Sequence, residues 1–227
     1  MPGLLDGQRV LVVGTGPMAQ ATAAAAASSG ATVFLSGRDR ARTADAAARA
    51  GLAPESALTA DPTDPRQARQ LIEHAGTLDH LAVLAGGTGA RASSLITTPL
   101  PDAQAAFGRF WLSYNLLQAA HQHIGDSITL LSGSSSRRPV AGLGIWGTLH
   151  ASIEALARNA ALELSPIRVN TISPGGIGMH TDRQLTPHRG QPTDIAAAAI
   201  ALMTNPAITG AVLDVDGGER LGAYSSE

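Results

Sequence analysis

The small residues of the segment 14–19 have the types and the spacing to bind phosphate. Their sequence, Gly-Thr-Gly-Pro-Met-Ala, matches G-x-G-x-x-G/A and lies between an apolar run and an alanine-rich run. In this pattern Gly14 permits a tight turn, Gly16 lets a pyrophosphate approach the backbone, and Ala19 lets a helix pack closely on a strand. The start of that helix supplies free N–H groups and a partial positive charge. The alternative is a glycine turn needed only for packing. The predicted dinucleotide site consists of Gly14, Thr15, Gly16 and Met18.

The end of the second apolar run indicates which dinucleotide this site prefers. A site for NAD places a carboxylate there to bind the adenosine ribose. This chain instead has Ser36-Gly37-Arg38, in which the glycine leaves room and the planar guanidinium of Arg38 can bind a 2′-phosphate. Asp39 could serve as the ribose-binding acid, but we expect it to lie one residue too far along and to point away. The sequence therefore favours NADP(H) over NAD(H).

Residue types that are missing exclude several chemistries. The chain has no cysteine, and all sixteen of its Lys+Arg residues are arginine. Disulfides, thiolate catalysis, cysteine-bound metals, Schiff-base lysines and Walker-type phosphate loops are thereby excluded. His121 and His123 are two residues apart on a helix and face different sides, so no metal site is expected.

The net charge of −2 gives no basic excess for nucleic acid or membrane. Without an apolar run of about eighteen residues the expected location is the cytoplasm.

Short apolar runs alternate with longer alanine- and leucine-rich segments along all 227 residues. The apolar runs are bounded by Gly, Asp or Ser and predict strands, whereas the longer segments predict helices. Such alternation is typical of a parallel sheet with helices on both faces. We therefore predict one α/β domain, residues 1–227, with a doubly wound Rossmann-type fold of about seven parallel strands. The strands are predicted at 9–13, 31–36, near 58, 78–84, 127–132, 167–172 and 211–215, and the helices at 18–29, 40–50, 64–75, 102–122, 146–163 and 193–203.

Several motifs together resemble the short-chain dehydrogenase/reductase family over almost the whole chain. The most specific are the segment 168–177, Arg-Val-Asn-Thr-Ile-Ser-Pro-Gly-Gly-Ile, and the closing pair 208–210 and 215–218. The segment 60–64 resembles the family's adenine-binding turn, and 78–87 resembles the strand leading to its Asn-Asn-Ala-Gly motif. The resemblance implies an NADP(H) site, a small-molecule substrate and an oxidoreductase. It also implies cofactor-binding roles for Asp61, Ala85, Gly86, Pro174, Gly175 and Ile177.

The positions of the family's catalytic residues are occupied by other residue types. The family uses a serine, a Tyr-x-x-x-Lys pair and usually a helix asparagine. Aligning the segment after His150 with the family's helix places Trp146 at the tyrosine position and His150 at the lysine position. Gly133 falls at the serine position, flanked by Ser132 and Ser134, either of which becomes the donor after a one-residue shift. The asparagine position falls near Arg109.

His150 is the leading candidate for the missing proton chemistry. An imidazole titrates near pH 6.5 in its ordinary state, whereas an indole such as that of Trp146 only donates a hydrogen bond. One helical turn separates these residues, so they share a face. His150 could hold the nicotinamide ribose, protonate a substrate oxygen, or both. The alternative is a histidine that fills a cavity and bonds a backbone carbonyl.

Two further features concern access and partners. The segment from Met179 to Gln191 is shorter than the family's substrate-covering insertion, so the pocket is open or is covered by another chain. Phe110, Trp111 and Tyr114 concentrate aromatic area on one helix, which favours packing or oligomerisation. We expect a homodimer or homotetramer, or hetero-association with an active relative.

Three functions remain compatible with the sequence. The first is an NADP(H)-dependent reductase of a carbonyl or imine, in which His150, Ser132 or Ser134 replaces the tyrosine. The second is a non-redox enzyme, a cyclase or lyase, on the same scaffold. The third is a catalytically silent NADP-binding or partner subunit. We take the reductase as the working hypothesis, because the cofactor motifs are the best preserved part of the sequence.

Overall fold

A computed structural model describes residues 3–85, 94–178 and 183–222, which form seven strands and six α-helices. The strands are β1 (Arg9–Val13), β2 (Thr32–Gly37), β3 (Ala57–Thr59), β4 (Leu78–Val83), β5 (Ile124–Leu131), β6 (Arg168–Pro174) and β7 (Val212–Val215). The helices are α1 (Pro17–Ser28), α2 (Arg40–Arg49), α3 (Pro65–Ala75), α4 (Leu100–Ala120), α5 (Gly144–Glu163) and α6 (Pro192–Thr204). A short 3₁₀ turn, Ser134–Ser136, follows β5, and another, Glu219–Leu221, follows β7.

All seven strands form one parallel sheet in the order β3-β2-β1-β4-β5-β6-β7. The predicted doubly wound Rossmann-type fold is thereby confirmed. The chain winds outward from β1 through β2 and β3, then crosses to β4 and winds the other way. The carboxyl ends of β1 and β4 thus flank the switch point, where α/β sheets of this kind bind their ligands.

The core lies on both faces of the sheet because the strands are apolar at successive positions. On β1, Leu11 and Val13 face the helices α3, α4 and α5, whereas Val10 and Val12 face α1 and α6. All four side chains are at most 2% exposed. Alanines of α1 pack against alanines of α6, which brings these helices close to the sheet. This two-sided burial holds the carboxyl edge of the sheet rigid beneath the site.

Element boundaries differ slightly from the predictions, for local reasons. β5 begins at Ile124 rather than at 127, because Ile124 pairs with Leu78 of β4 before a register irregularity that precedes the pair His80–Ser127. α4 begins at Leu100 rather than at 102, because Pro101 is tolerated in the first turn of a helix. Within the described ranges, no helix combines the length and the apolar character needed to cross a membrane.

The aromatic cluster of α4 divides between core and surface. Phe110 packs against the core, whereas Trp111 and Tyr114 are 53% and 37% exposed. The three rings contact one another, with centroids 5.2–6.5 Å apart. The predicted oligomer stays a prediction.

Candidate functional site

The turn after β1 is shaped by close contacts on one side and by open space on the other. Gly14 has a φ of +139°, and a Cβ on it would lie 2.8 Å from the carbonyl oxygen of Leu84 at the end of β4. Its N–H donates to the Ser36 carbonyl at 2.7 Å. Gly16 precedes α1 without a side-chain cap, and no described atom lies within 4 Å of where its Cβ would be. The first N–H groups of α1 are therefore available to an anion, while the phosphate binding predicted for this turn stays a prediction.

A cleft of about 250 Å³ extends from this turn along the carboxyl edge of the sheet. It passes beside the residues that follow β2 and β3 and reaches Gly108 and Arg109 of α4. Its lining includes three of the predicted cofactor residues of the first turn and Arg38, together with Ala85 after β4. It also includes residues of α4 and of the turn after β3: Gly108, Arg109, Leu112, Ala60, Pro62 and Thr63.

Two arginines flank the end of the cleft next to β2. Arg38 and Arg42 both line it, and both are exposed. The Asp39 carboxylate accepts a hydrogen bond from the Arg42 backbone N–H at 2.8 Å and so caps α2. Asp39 also lines the cleft, so the expectation that it points away from the ribose stays a prediction. Arg42 was missed in the sequence, although its position one helical turn after Arg38 could have indicated it.

The turn after β3 presents backbone and apolar groups to the cleft. Asp61 lies there, but its Oδ1 accepts hydrogen bonds from the Thr63 N–H at 3.1 Å and the Thr63 hydroxyl at 2.7 Å. Its neighbours Ala60 and Pro62 line the cleft. The adenine contact implied for Asp61 stays a prediction.

The end of β6 is fixed by the turn that follows β7. A Cβ on Gly175 would lie 2.6 Å from the Cβ of Asp216, and the Gly175 N–H donates to the Val215 carbonyl at 3.0 Å. The Gly176 N–H donates to the Glu219 carboxylate at 3.2 Å. This packing holds Pro174, Gly175 and Ile177 in place, while the predicted Gly86 lies outside the described residues.

Arg109, His150 and Ser135 form a hydrogen-bonded chain beside the carboxyl end of β5. Arg109, on α4, directs Nη1 to His150 Nε2 at 3.2 Å and Nη2 to the Leu131 carbonyl at 3.2 Å. His150 Nδ1 lies 2.9 Å from the Ser135 hydroxyl. Gly133 makes room for the imidazole, since a Cβ there would lie 2.6 Å from His150 Cε1. We call these three residues the Arg109–His150–Ser135 chain.

Burial and charge define the protonation state of this chain. Burial lowers the pKa of Arg109 to about 10, so its guanidinium remains charged at neutral pH. Burial and, secondarily, the Arg109 charge lower the pKa of His150 to about 4. His150 is therefore neutral at pH 7. Because Arg109 can only donate, His150 Nε2 accepts, and the ring proton lies on Nδ1 and is donated to Ser135.

The predicted serines flanking Gly133 lie differently from Ser135. Ser132 is 2% exposed and donates to Glu154 Oε1 at 3.0 Å, and Ser136 donates to the same oxygen at 2.6 Å. Ser134 begins the 3₁₀ turn, and the catalytic role predicted for Ser132 and Ser134 stays a prediction. Trp146 packs against the core, with its ring centroid 6.2 Å from that of His150. Ser135 was missed, because a one-residue difference within a short turn decides which hydroxyl faces the imidazole.

The described residues fit a pyridine dinucleotide. The bare Gly16 at the start of α1 leaves room for a pyrophosphate, and the exposed guanidinium groups beside Gly37 suit a further phosphate. Among the described residues, no group of three or more histidines and carboxylates is placed to hold a metal ion. The fold and the cleft define a dinucleotide-binding protein of the Rossmann class.

Comparisons with known proteins define the family. The family model described as enoyl-(acyl carrier protein) reductase matches residues 15–219. Short-chain dehydrogenase/reductase ucsE of Acremonium sp is 29% identical, over 93% of this chain and 94% of its own length. A solved small-chain dehydrogenase in complex with NADPH is 29% identical with a TM-score of 0.79, covering 96% of this chain and 100% of that one. MalC reductase/Diels-Alderase from Malbranchea aurantiaca shares the fold, at 23% identity, a TM-score of 0.85, and 96% and 97% coverage.

The chain belongs to the short-chain dehydrogenase/reductase family of oxidoreductases. The resemblance stated from the sequence is thereby confirmed. The predicted cofactor, NADP(H), is confirmed at the level of this family by the solved complex with NADPH.

Proposed function

We propose that this protein is an NADP(H)-dependent reductase of a small carbonyl or imine compound, in which the Arg109–His150–Ser135 chain replaces the family's tyrosine and lysine. The observation that carries the proposal is the position of Arg109. Arg109 lines the same cleft as Gly14 and Gly16, and its guanidinium contacts the imidazole of His150. In this proposal that permanent cation stabilises the negative charge that develops on a substrate oxygen during reduction.

The residues of the chain have separate tasks in this proposal. NADPH, when bound, supplies a hydride to the substrate carbon. Arg109 donates hydrogen bonds to the substrate oxygen or nitrogen as it gains negative charge, since only two of its nitrogens are engaged by described partners. His150 orients Arg109 by accepting from Nη1. Ser135 orients the ring of His150 by accepting from Nδ1 and keeps its own hydroxyl hydrogen for donation.

The neutral imidazole changes the proton source expected from the sequence. Because the pKa of His150 is lowered to about 4, almost none of it is imidazolium at pH 7. We therefore assign the proton that completes the product to water at the mouth of the cleft, delivered after or together with hydride transfer. Arg109 and Ser135 stabilise the charge meanwhile.

The test follows NADPH absorbance with a panel of carbonyl and imine compounds. We expect turnover by the wild-type protein and at least a tenfold loss of kcat in Arg109→Gln, as for loss of one charge-stabilising donor. His150→Gln, which keeps a neutral donor and acceptor, should retain more activity than His150→Ala. Ser135→Ala, Ser132→Ala and Ser134→Ala are compared in the same assay.

A matched control comes from the same helix. Ser152 lies on α5 two residues after His150, and its hydroxyl donates to the Thr148 carbonyl at 2.9 Å, within the helix. Ser152→Ala should leave kcat unchanged. Turnover that persists unchanged in the Arg109, His150 and Ser135 variants would refute the proposal.

The preference for the phosphorylated cofactor is tested separately. Arg38→Gln and Arg42→Gln remove exposed guanidinium groups beside Gly37, each without disturbing a described contact of the core. We expect each variant to raise the Kd of NADPH about tenfold and to leave that of NADH nearly unchanged, because only NADPH has a 2′-phosphate. Equal losses for both cofactors would contradict this assignment.

One observation favours a second candidate, the catalytically silent NADP-binding subunit. Neither Arg109 nor the neutral His150 is an effective proton donor at neutral pH. This candidate predicts NADPH binding without turnover on any substrate of the panel, and a robust activity of the isolated chain would exclude it.

A further inference from the structure

The charge of Arg109 has no counter-ion in the part of the chain that the structure describes. Arg109 is 8% exposed, and its described partners are a neutral imidazole and a backbone carbonyl. In the sequence, Ala85 of the cleft is followed by the segment 86–93, Gly-Gly-Thr-Gly-Ala-Arg-Ala-Ser, which contains no acidic residue. Taking a cation out of water is unfavourable unless an anion or several hydrogen bonds replace the water. We therefore expect the site to take an anion that no described residue supplies.

The sheet topology separates this cation from the predicted phosphate sites. Arg109 is anchored to the carbonyl of Leu131, the last residue of β5. The pyrophosphate site follows β1, and β4 lies between β1 and β5. With neighbouring strands about 4.8 Å apart, β5 lies about 10 Å from β1. The site for the 2′-phosphate follows β2, one strand further away. The anion that pairs with Arg109 is thus expected on the β5 side of the cleft, away from both predicted phosphate sites.

We propose that Arg109 binds a carboxylate of the substrate, so that the substrate is an oxo acid or imino acid whose reducible carbon lies next to the carboxylate. This inference rests on the proposed reductase function and specifies its substrate class. The guanidinium presents parallel N–H groups, which match two oxygens held side by side. In a 2-oxo acid, one carboxylate oxygen and the carbonyl oxygen have that arrangement. One arginine can thus hold the substrate and polarise its carbonyl.

The reaction balances with components already named. The carbonyl π bond breaks as the carbon forms a new C–H bond with the hydride of NADPH, and the oxygen forms an O–H bond with a proton from water. The oxo acid is reduced to a hydroxy acid and NADPH is oxidised to NADP⁺. The carboxylate is unchanged, so Arg109 retains its counter-ion throughout.

The first test measures binding, independently of turnover. Isothermal titration of the protein with 2-oxobutyrate and with its methyl ester compares an anion with a neutral molecule of nearly the same shape. We expect the acid to bind at least tenfold more tightly than the ester. Arg109→Gln should remove this difference, and Arg109→Lys, which keeps a charge without the planar fork, should retain part of it. Equal binding of acid and ester by the wild-type protein would overturn the inference without requiring any variant.

The second test measures specificity in the reductase assay. For pairs of oxo acids and their methyl esters, we expect the wild-type protein to show a kcat/KM at least tenfold higher for the acid, and Arg109→Gln to lower this ratio toward one. Turnover without any preference for the acid would overturn this inference and leave the reductase proposal intact. Arg109-dependent binding of the acid without NADPH consumption would overturn the reductase proposal and leave only the binding of a carboxylate at Arg109. A loss of NADPH binding in Arg109→Gln as large as the loss of acid binding would assign the anion to the cofactor and overturn the inference.

Discussion

Replacing Gly133 by alanine tests whether the imidazole of His150 fills the space that a side chain at residue 133, after β5, would occupy. Gly133 has a φ of −179°, which any residue adopts, so the substitution introduces no backbone strain. The added Cβ would lie 2.6 Å from Cε1 and 2.7 Å from Nδ1 of His150. An ordinary contact is longer by about 1 Å, so the ring must move by about that distance.

The expected loss in the free energy of unfolding follows from the hydrogen bonds that this displacement breaks. His150 would lose its bonds to Ser135 at 2.9 Å and to Arg109 at 3.2 Å. Two such bonds contribute roughly 2–4 kcal/mol, since one partner is charged, and overpacking adds about 1–3 kcal/mol. Partial relaxation of the ring lowers the sum, and we expect Gly133→Ala to reduce the free energy of unfolding by about 2–5 kcal/mol. Thermal denaturation should then show a decrease in Tm of roughly 4–20 °C.

A double-mutant cycle separates the clash from other effects of the substitution. His150→Ala removes the ring, so Gly133→Ala added to it should cost less than about 0.5 kcal/mol. The coupling energy between the two positions should therefore nearly equal the cost of Gly133→Ala alone. The contact between Gly133 and His150 would be refuted if Gly133→Ala destabilised the protein equally with and without His150. It would also be refuted if Gly133→Ala alone were as stable as the wild type.

Two further predictions concern the phosphate turn and the histidine. Gly16→Ala places a Cβ in open space, so Tm should be unchanged while the Kd of NADPH rises at least tenfold, and undiminished binding would contradict the assignment of the turn. The pKa of His150 is about 4 in the folded protein and about 6.5 when unfolded, so only the unfolded state gains this proton between those values. The free energy of unfolding should fall as the pH drops from 6.5 toward 4, by at most about 3 kcal/mol. His150→Gln should flatten this slope, and an identical slope would contradict the neutral, buried imidazole.

The fold could be predicted from the sequence because the strands are short, apolar and bounded by turn residues. Burial on both faces makes β1 a continuous apolar run, Arg9–Val13 apart from its first residue. β6 is buried almost throughout although it contains polar residues, and it was predicted from the motif around it. Asp64 before Pro65 signals the start of α3, where its carboxylate indeed accepts from the Arg66 N–H at 2.8 Å. The first glycine turn could also be predicted, since its G-x-G-x-x-A pattern lies between an apolar run and an alanine-rich run.

The candidate site was only partly predictable because its contacts join residues distant in sequence. Arg109 and His150 are 41 residues apart, and their contact depends on how α4 and α5 pack. The sequence could align Arg109 and His150 with the family's catalytic positions. It could not show that Arg109 donates a hydrogen bond to His150. The choice of Ser135 depends on the path of a single 3₁₀ turn, and the role of Glu219 depends on a loop folding back over β6.

Gly133, Arg109 and His150, which replace the family's catalytic residue types, depend on one another. This dependence favours a functional site over one that has lost its function. The imidazole of His150 fits only because residue 133 has no side chain. Arg109 can be buried only beside a group that accepts its hydrogen bonds and carries no positive charge, and neutral His150 meets both conditions. An ammonium group at position 150 would repel the guanidinium, and a hydroxymethyl group at position 133 would displace the ring. A protein that had only lost its function would not need these residues to fit one another. A protein that binds an anion next to the dinucleotide would need them to do so.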